Sequence, residues 1–384
     1  MSSTAIDRQR RRLTVSNCDP VVGAAGRGGA TASDEEILDK VGVLEAFKAA
    51  GGARALSCTS VTDKDLKRKR SFAEKDAQIL TPCEKKEDAK AMLEELNIGF
   101  CCKKGLKPES PNQDSFSIHV VENTFGLYGI YDGHGPWGHD ISDLAREILV
   151  RKFFESRDYM TEPGKALTKA FVECQQQLEV AKGVDPSTSG TTCSVAFHNM
   201  STDELTIAHV GDSRVVFGVR ETADSAYEVI KETTDHKPDL PEERKRIESA
   251  NPPGRVVFDG FYNHRVFAQA GNYPGLNMSR ALGDVIAHKE AGLTAVPDVM
   301  TINLKEYKGN HELVVVLCTD GVWEFIKSSE ALDIIKTEFG SKRSPGEVAN
   351  KLAERSWDEW MKDSDHEISD DITVMMIPFQ GDLR

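Results

Sequence analysis

The sequence predicts an α+β fold in which two packed β-sheets are covered by helices. From about residue 100, strand-like apolar runs separated by turn residues follow one another, namely "SFSIHVV", "TFGLYGIY", "TTCSVAFHN", "ELTIAHV", "RVVFGVR", "ELVVVLCT" and "ITVMMIPF". Amphipathic stretches typical of helices lie before and after the middle strands. Because the strands come in runs and do not alternate strictly with helices, the class is α+β, with two sheets packed face to face.

The residues before these strands divide into two parts. Residues 1–35 are rich in Gly, Ala, Ser and Arg without hydrophobic periodicity, and they predict a flexible tail. Residues 36–95 predict a helical and charged extension, with one short helix over residues 37–47 that ends before Gly51 and Gly52. The basic run at residues 67–70 is either a nuclear localisation signal or, more commonly, a solvated charged linker.

Four helices are predicted in the remainder of the chain, residues 96–384. Two of them precede the middle strands, over "HDISDLAREILVRKFFES" and "GKALTKAFVECQQQLEVAK", and two follow, over "EALDIIKTEF" and "PGEVANKLAERSWDEWM". The chain has 384 residues, 39% of them hydrophobic, which is enough for a sizeable core.

Composition excludes several classes of protein. A net charge of −14 without a long basic stripe argues against nucleic acid as the partner. Eight cysteines show no paired CxxC spacing, so neither a zinc site nor a disulfide framework is indicated, and a reducing compartment is the default. The N-terminus lacks a signal-peptide core, and no apolar run is long enough to span a bilayer. We therefore expect an intracellular protein, in the cytoplasm or alternatively the nucleus.

Carboxylates stand at the ends of four predicted strands. Asp114 precedes one strand, Asp132 and Asp320 each follow one, and Asp370 and Asp371 precede another. If these strand ends meet at one rim, the carboxylates repel one another unless cations neutralise them. Oxygen ligands without a His or Cys cluster favour Mg²⁺ or Mn²⁺. The alternative is four unrelated turn aspartates, and spacing alone does not decide between the two.

Six motifs resolve much of this choice. They are "YDGHG", "GTTCSVAF", "AHVGDSRVVFG", "MSRALGD", "LCTDGVWEF" and "DDITVMMI". These motifs occur in the order found in the metal-dependent protein phosphatases of type 2C. From Asn112 to Phe379 the chain resembles this family of serine/threonine phosphatases. The resemblance implies a catalytic domain over residues 96–384, a β-sandwich of two antiparallel sheets flanked by helix pairs, and a two-metal site in the cleft at one end. It also implies phosphorylated protein substrates, and we expect a monomer.

The resemblance also implies a ligand set. Asp132 resembles the carboxylate that bridges both metals, and the carbonyl of Gly133 resembles a ligand of one. Asp320 and Asp370 resemble ligands of the other, and Asp114 resembles the aspartate that holds a metal-bound water. A water that bridges two such cations is acidic enough to supply hydroxide near neutral pH and attack phosphorus in line.

Further residues receive roles from the resemblance, with alternatives. His134 matches the family's general acid for the departing alkoxide, although a histidine in a turn is commonly structural. Asp212 resembles the position of a third, loosely bound metal in some members, and a turn-capping role is the alternative. Arg280 and Asp284 are expected to tie a flap to the core. That flap is the predicted insert from residue 235 to residue 276.

The chain departs from the family pattern at several positions. Gln113 stands where many members have glutamate, Asp371 where asparagine is usual, and Glu324 where aspartate often serves a third metal. Glu109 stands where many members have an arginine that binds the substrate's phosphate. Lys107 is the nearest well-placed cation and is predicted to replace that arginine, unless it is a solvated lysine and the metals alone hold the phosphate.

Two alternative functions fit the sequence less well. A catalytically silent binding protein of the same fold has no physical reason to keep repelling carboxylates together. An aspartyl-phosphate phosphatase built on "TDG" requires a pair of aspartates two residues apart, and Cys318 occupies the earlier position. The sequence therefore predicts an enzyme that hydrolyses phosphoserine and phosphothreonine with two Mn²⁺ or Mg²⁺ ions, and a weak third ion as an extension.

Overall fold

Three antiparallel sheets carry most of the strands in the computed structural model. It describes residues 34–49, 53–61, 71–82, 86–107, 110–307, 309 and 311–379. The basic run at residues 67–70, Glu109 and all of the predicted tail except residues 34 and 35 lie outside this range. The strands, in chain order, are β1 (Ala55–Ser60), β2 (Ala77–Leu80), β3 (Gly99–Lys103), β4 (Asp114–Val121), β5 (Phe125–His134), β6 (Gly190–Thr191), β7 (Cys193–Asn199), β8 (Glu204–Val210), β9 (Arg214–Arg220), β10 (Glu228–Glu232), β11 (Gly254–Phe258), β12 (His264–Ala268), β13 (Pro274–Leu276), β14 (Leu282–Gly283), β15 (Asp298–Asn303), β16 (Glu312–Cys318) and β17 (Ile372–Phe379).

Two of these sheets form a sandwich. The larger sheet has the strand order β15-β8-β7-β5-β4-β1-β2, with β6 and β14 attached beside β5, and the smaller has the order β10-β9-β16-β17-β3. Side chains alternate along the strands, so Phe116 and Ile118 of β4 face Met375 and Ile377 of β17 in the core between the sheets. The predicted sandwich of two antiparallel sheets is confirmed.

Helices cover the outer face of each sheet. In chain order they are α1 (Asp34–Val41), α2 (Leu44–Ala49), α3 (Lys86–Glu95), α4 (Gly138–Glu155), α5 (Pro163–Leu178), α6 (Pro241–Glu248), α7 (Val285–Glu290), α8 (Asp320–Trp323), α9 (Ser328–Gly340) and α10 (Pro345–Asp363). The pair α4 and α5 buries its apolar stripe on the larger sheet, and the pair α9 and α10 does so on the smaller. This is the predicted arrangement of flanking helix pairs.

The predicted single N-terminal helix is wrong, because the chain forms α1 and α2 with a break between them. Gly42 adopts φ +78°, a left-handed conformation that ends the first helix. A Cβ atom at this position would lie 2.7 Å from Cγ of Arg151 on α4. Leu38 and Phe47 of the two helices are buried in the same core as α4 and α5.

Part of the predicted extension, residues 36–95, contributes strands to the larger sheet of the sandwich. Strand β1 pairs with β4 from Ala55 opposite Val121 to Thr59 opposite Ser117, and β2 pairs with β1. The sequence of β1, "ALSCTS", differs from that of a half-buried strand in that its polar side chains are buried along with the apolar ones. The extension and the predicted catalytic domain therefore share one sheet.

The predicted insert at residues 235–276 forms a small unit of its own. Helix α6, the sheet β11-β12-β13 and the following segment with α7 enclose a separate core that includes Ile247, Val256, Val266 and Ala287. Within this insert, residues 241–276 form α6 and the three strands, and from here on the name flap refers to this folded part. Elsewhere, six cysteines of the described residues are free and buried. Among the described helices, none combines the length and apolar character that crossing a bilayer requires.

Candidate metal centre

Asp114 and Asp132 lie directly opposite each other on neighbouring strands. The register of β4 and β5 pairs Asp114 with Asp132 at the end of the ladder. Strand β5 continues through Gly133 to His134, and only glycine fits at position 133. A Cβ atom there would lie 2.3 Å from the carbonyl oxygen of Gly138 and 2.6 Å from that of Gln113. Two carboxylates that the sequence places 18 residues apart thus meet at one end of the larger sheet.

The smaller sheet brings the remaining predicted ligands to the same end. Strand β16 ends at Cys318, and Asp320 begins the short helix α8. The hydroxyls of Thr319 and Thr373 donate to Oδ2 of Asp114 over 3.0 and 2.7 Å, which joins the end of β16 and the start of β17 to the start of β4. The two threonines were not predicted as site residues, since nothing in their local sequence signals this contact.

The neighbouring Asp370 and Asp371 have different surroundings. Both oxygens of Asp371 accept backbone N–H groups, from Gly105 at 2.7 Å and from Gln113 at 2.9 Å. The side chain of Gln113 points elsewhere and donates to the carbonyl of Gly135 over 2.7 Å. Asp371 therefore holds two loops together, whereas Asp370 accepts the backbone N–H of Asp371 on one oxygen and lies beside the ammonium of Lys107.

Burial and mutual repulsion act on the carboxylates together. Burial raises the pKa of Asp132 well above its usual value, and the charges of Asp114 and Asp320 raise it further. Burial likewise raises the pKa of Asp320, with added repulsion from Asp212 and Asp370. For Asp114, burial and the charge of Asp371 raise the pKa to about 7, although the threonine hydroxyls oppose the shift. Such a cluster is stable in its ionised form only with cations nearby.

Two lysines supply positive charge to this cluster. Lys107 forms an ion pair with Asp370, and Lys237, which begins the segment leading to the flap, forms one with Asp212. Burial lowers the pKa of Lys107, but the charges of Asp370 and Asp371 outweigh it and keep the ammonium protonated. Within the described ranges, no three His, Cys, Asp or Glu side chains are already close enough to hold one metal ion together.

Unpartnered buried oxygens test whether the site suits a divalent cation. Oδ1 of Asp114 and Oδ1 of Asp320 are buried, and neither has a hydrogen-bond partner among the described residues. A buried carboxylate oxygen without a partner is costly unless a cation or water satisfies it. The donors are all oxygen atoms, which suits Mg²⁺ or Mn²⁺ better than zinc. The residues present therefore fit the implied metal ions.

His134 and Asp284 form a buried pair next to the cluster. Nε2 of His134 lies 2.6 Å from Oδ2 of Asp284, and Nδ1 of His134 has no hydrogen-bond partner in the described part of the chain. Burial lowers the pKa of His134, but the charge of Asp284 and the hydrogen bond outweigh it and raise the pKa above the usual value. The sequence placed Asp284 in a flap contact, whereas the structure places it on His134.

Arg280 does contact the flap. Its guanidinium forms a forked pair with Glu243 of α6, with Nη2 of Arg280 2.6 Å from Oε1 of Glu243. Its Nη1 atom donates to Oδ1 of Asp298 at the start of β15 over 2.6 Å. Arg280 therefore ties the flap to the edge of the larger sheet, as the sequence predicted.

A second network joins Asp132 to the turn that carries Asp212. The backbone N–H of Asp132 donates to Oγ1 of Thr192 over 3.2 Å, and Thr192 and Ser213 share a hydroxyl hydrogen bond of 2.7 Å. Asp212 is buried in the same turn, between β8 and β9. The structure thus brings Asp114, Asp132, Gly133, Asp212, Asp320, Asp370, Lys107 and His134 to one end of the sandwich.

Comparisons with known proteins bear on this site. A family model described as protein phosphatase 2C matches residues 109–364. Probable protein phosphatase 2C 34 of Arabidopsis thaliana is 33% identical over 271 residues, which cover 66% of this chain and 72% of that protein. Probable protein phosphatase 2C 64 of Oryza sativa subsp. japonica is 31% identical over 284 residues, which cover 71% of this chain and 63% of that protein. The crystal structure of a serine-threonine phosphatase 2C from Toxoplasma gondii has the same fold, with a TM-score of 0.62 at 21% identity over 74% of this chain and 94% of that one.

Proposed function

The chain belongs to the protein phosphatase 2C family and is a serine/threonine phosphatase, and we propose that it hydrolyses phosphoserine and phosphothreonine in proteins with two Mg²⁺ or Mn²⁺ ions. Asp132 would bind both ions. The carbonyl of Gly133 would bind one of them, and Asp320 and Asp370 would bind the other. When bound, such ions act as Lewis acids and activate a water molecule near neutral pH.

The observation that supports this proposal most directly is the position of Asp114. Its Oδ2 atom accepts two threonine hydroxyls, which fixes the carboxylate, while its buried Oδ1 atom has no partner among the described residues. An oriented acceptor of this kind can hold the attacking water in place. Because Asp114 lies opposite Asp132 in the sheet, such a water would be held beside the proposed bridging carboxylate.

His134 is proposed to protonate the departing serine or threonine oxygen. Its Nε2 atom is engaged by Asp284, which fixes the ring and stabilises its protonated form. The Nδ1 atom is then the ring nitrogen that remains for the leaving group. The carboxylate of Asp284 itself does not need to touch the substrate.

A third ion is proposed to bind weakly at Asp212. The carboxylate of Asp212 already accepts from Lys237, so a cation there must compete with an ammonium group. Glu324, just after α8, is a further acidic residue whose charge acts on Asp320, beside Asp212 and Asp370. The longer side chain of glutamate, compared with aspartate, favours contact through water.

The test is hydrolysis of a phosphothreonine peptide by the full chain, first in EDTA and then with added Mn²⁺ or Mg²⁺. Asp132→Asn should lose bound metal, measured by elemental analysis, together with nearly all turnover. Asp224→Asn removes an exposed carboxylate from the turn between β9 and β10 and should preserve both. Full turnover in EDTA by protein without detectable metal would overturn the proposal.

A further inference from the structure

Lys107 forms an ion pair with Asp370, one of the carboxylates that the proposed function assigns to a metal ion. It lies just after Gly105, whose N–H is bound by Asp371, so the loop that carries Lys107 is fixed against the cluster. The ammonium contacts Asp370, and 19% of the lysine side chain is exposed. The charges of Asp371 and Asp132 also act on it. The chain thus places a cation of its own among three carboxylates.

The Lys107 contact involves the oxygen of Asp370 that is already in use. Oδ1 of Asp370 accepts the ammonium of Lys107 and also the backbone N–H of Asp371, at 2.8 Å for the latter. A carboxylate oxygen that accepts two donors has few lone pairs left for a divalent ion. A metal ion that uses this oxygen must therefore displace the ammonium, which is the more mobile of the two donors because it ends a flexible four-carbon stem.

Lys237 occupies an equivalent place on the other side of the cluster. It pairs with Asp212, and its charge also acts on Asp320. Two ammonium groups therefore stand among the five carboxylates 114, 132, 212, 320 and 370. The positive charge of these lysines explains how mutually repelling carboxylates stay close together. No three of the described acidic side chains form a ready metal site.

We propose that Lys107 is a resident counter-ion of Asp370 which a divalent cation displaces, and that the released ammonium then binds the phosphate of the substrate. This inference rests on the proposed phosphatase function. Removal of Lys107 has opposite effects on the two steps. The metal gains an uncontested carboxylate, whereas the phosphate loses a charge-assisted hydrogen bond.

The first experiment measures Mn²⁺ affinity by calorimetry and thermal stability in EDTA. Lys107→Met keeps most of the aliphatic stem and should bind Mn²⁺ roughly three- to tenfold more tightly, the range expected for one charge-assisted contact. In EDTA the same variant should unfold at a lower temperature than wild type, because Asp370 has lost its counter-ion. Lys103→Met, which removes a lysine paired with Glu74 outside the cluster, is the matched control and should change neither quantity.

The second experiment measures binding of inorganic phosphate to the Mn²⁺-loaded protein, by calorimetry and as competitive inhibition of peptide hydrolysis. Lys107→Met should weaken phosphate binding several-fold and raise KM, whereas Lys103→Met should match wild type. Lys107→Gln serves as a second variant if Lys107→Met is poorly folded by circular dichroism. Tighter Mn²⁺ binding with unchanged phosphate binding would overturn the phosphate role of Lys107.

The outcomes separate this inference from the proposed function. If wild type binds no Mn²⁺ and hydrolyses no phosphopeptide, the proposed function fails. If wild type does both, and Lys107→Met and Lys107→Gln bind Mn²⁺ as wild type does, the function stands and the displacement of Lys107 is wrong. Partial unfolding of a Lys107 variant cannot produce the predicted tighter Mn²⁺ binding, because a damaged site does not bind Mn²⁺ more tightly.

Discussion

The Nε2 atom of His134 lies 2.6 Å from the Oδ2 atom of Asp284, which is 150 residues further along the chain. Asp284 is itself in the left-handed region, with φ +42°, and 1% of its side chain is exposed. A backbone conformation of this kind costs energy, and here it places a buried carboxylate beside the ring of His134.

We predict that Asp284→Asn lowers kcat roughly tenfold to hundredfold, the order expected when a general acid loses its orienting partner. Asparagine tolerates the left-handed region, so the main chain should be preserved. KM and Mn²⁺ affinity should change little, because Asp284 lies outside the proposed ligand set. Steady-state kinetics and calorimetry check this, with Asp224→Asn as the control. An unchanged kcat would show that Asp284 does not orient His134 for catalysis.

Thr373→Val is predicted to weaken Mn²⁺ binding several-fold at pH 7. Valine has nearly the same shape as threonine but lacks the hydroxyl that donates to Asp114 over 2.7 Å. Without this donor the ionised form of Asp114 is less favoured, so its pKa rises further above about 7. Calorimetric titration measures the effect. Thr301→Val, which removes a hydroxyl near Thr206 at the far edge of the sheet, should behave as wild type.

Lys75→Met tests whether the N-terminal extension supports the site. Lys75 is buried, and its ammonium donates to the main-chain carbonyl of Asp114, with the carbonyl of Asn112 3.4 Å away. Removing this donor should cost about 1–3 kcal/mol of unfolding free energy and weaken Mn²⁺ binding through the displaced Asp114. Urea unfolding and calorimetry measure these quantities, and Lys165→Met, which removes an exposed lysine of α5, provides the comparison. Equal values for both variants would show that the extension does not support the site.

Glu243→Gln is predicted to flatten the pH dependence of stability in mild acid. Burial alone would raise the pKa of Glu243, but hydrogen bonds from Arg280, Arg246 and Ser279 lower it to about 2, against 4.5 for the free side chain. Because the pKa in the folded state is the lower one, this contribution is fully present above pH 4.5 and is lost as the pH falls towards 2.

The measurement for Glu243 is urea unfolding of wild type and Glu243→Gln, both in EDTA, at pH 5.5 and pH 4. Wild type should lose roughly 0.8 kcal/mol more unfolding free energy over this interval than the variant, since the unfolded chain begins to bind the proton near pH 4.5 while the folded protein does not. The aspartate cluster titrates in both proteins, so its effect on the unfolding free energy cancels in the difference between them. Parallel losses would mean that Glu243 is not held ionised by its arginine partners.

Several features of this protein were determined by the sequence alone. The apolar period of each segment predicted the central strands and the four flanking helices, because that period depends on which face of an element is buried. The aspartates at strand ends followed from the same pattern, and six ordered motifs identified the family. The break at Gly42 was not predicted, since a single glycine does not interrupt helical periodicity unless its backbone is known to be left-handed.

Only the tertiary structure decided which charged groups meet. The pairing of Lys107 with Asp370, of Lys237 with Asp212 and of Asp284 with His134 joins residues from different strands and loops. The same is true of β1, a fully buried strand with three polar residues, which joins the sheet by pairing with β4. The physical reason is that local sequence sets the period and ends of an element, whereas neighbours across a sheet are chosen by packing and hydrogen bonding over the whole fold.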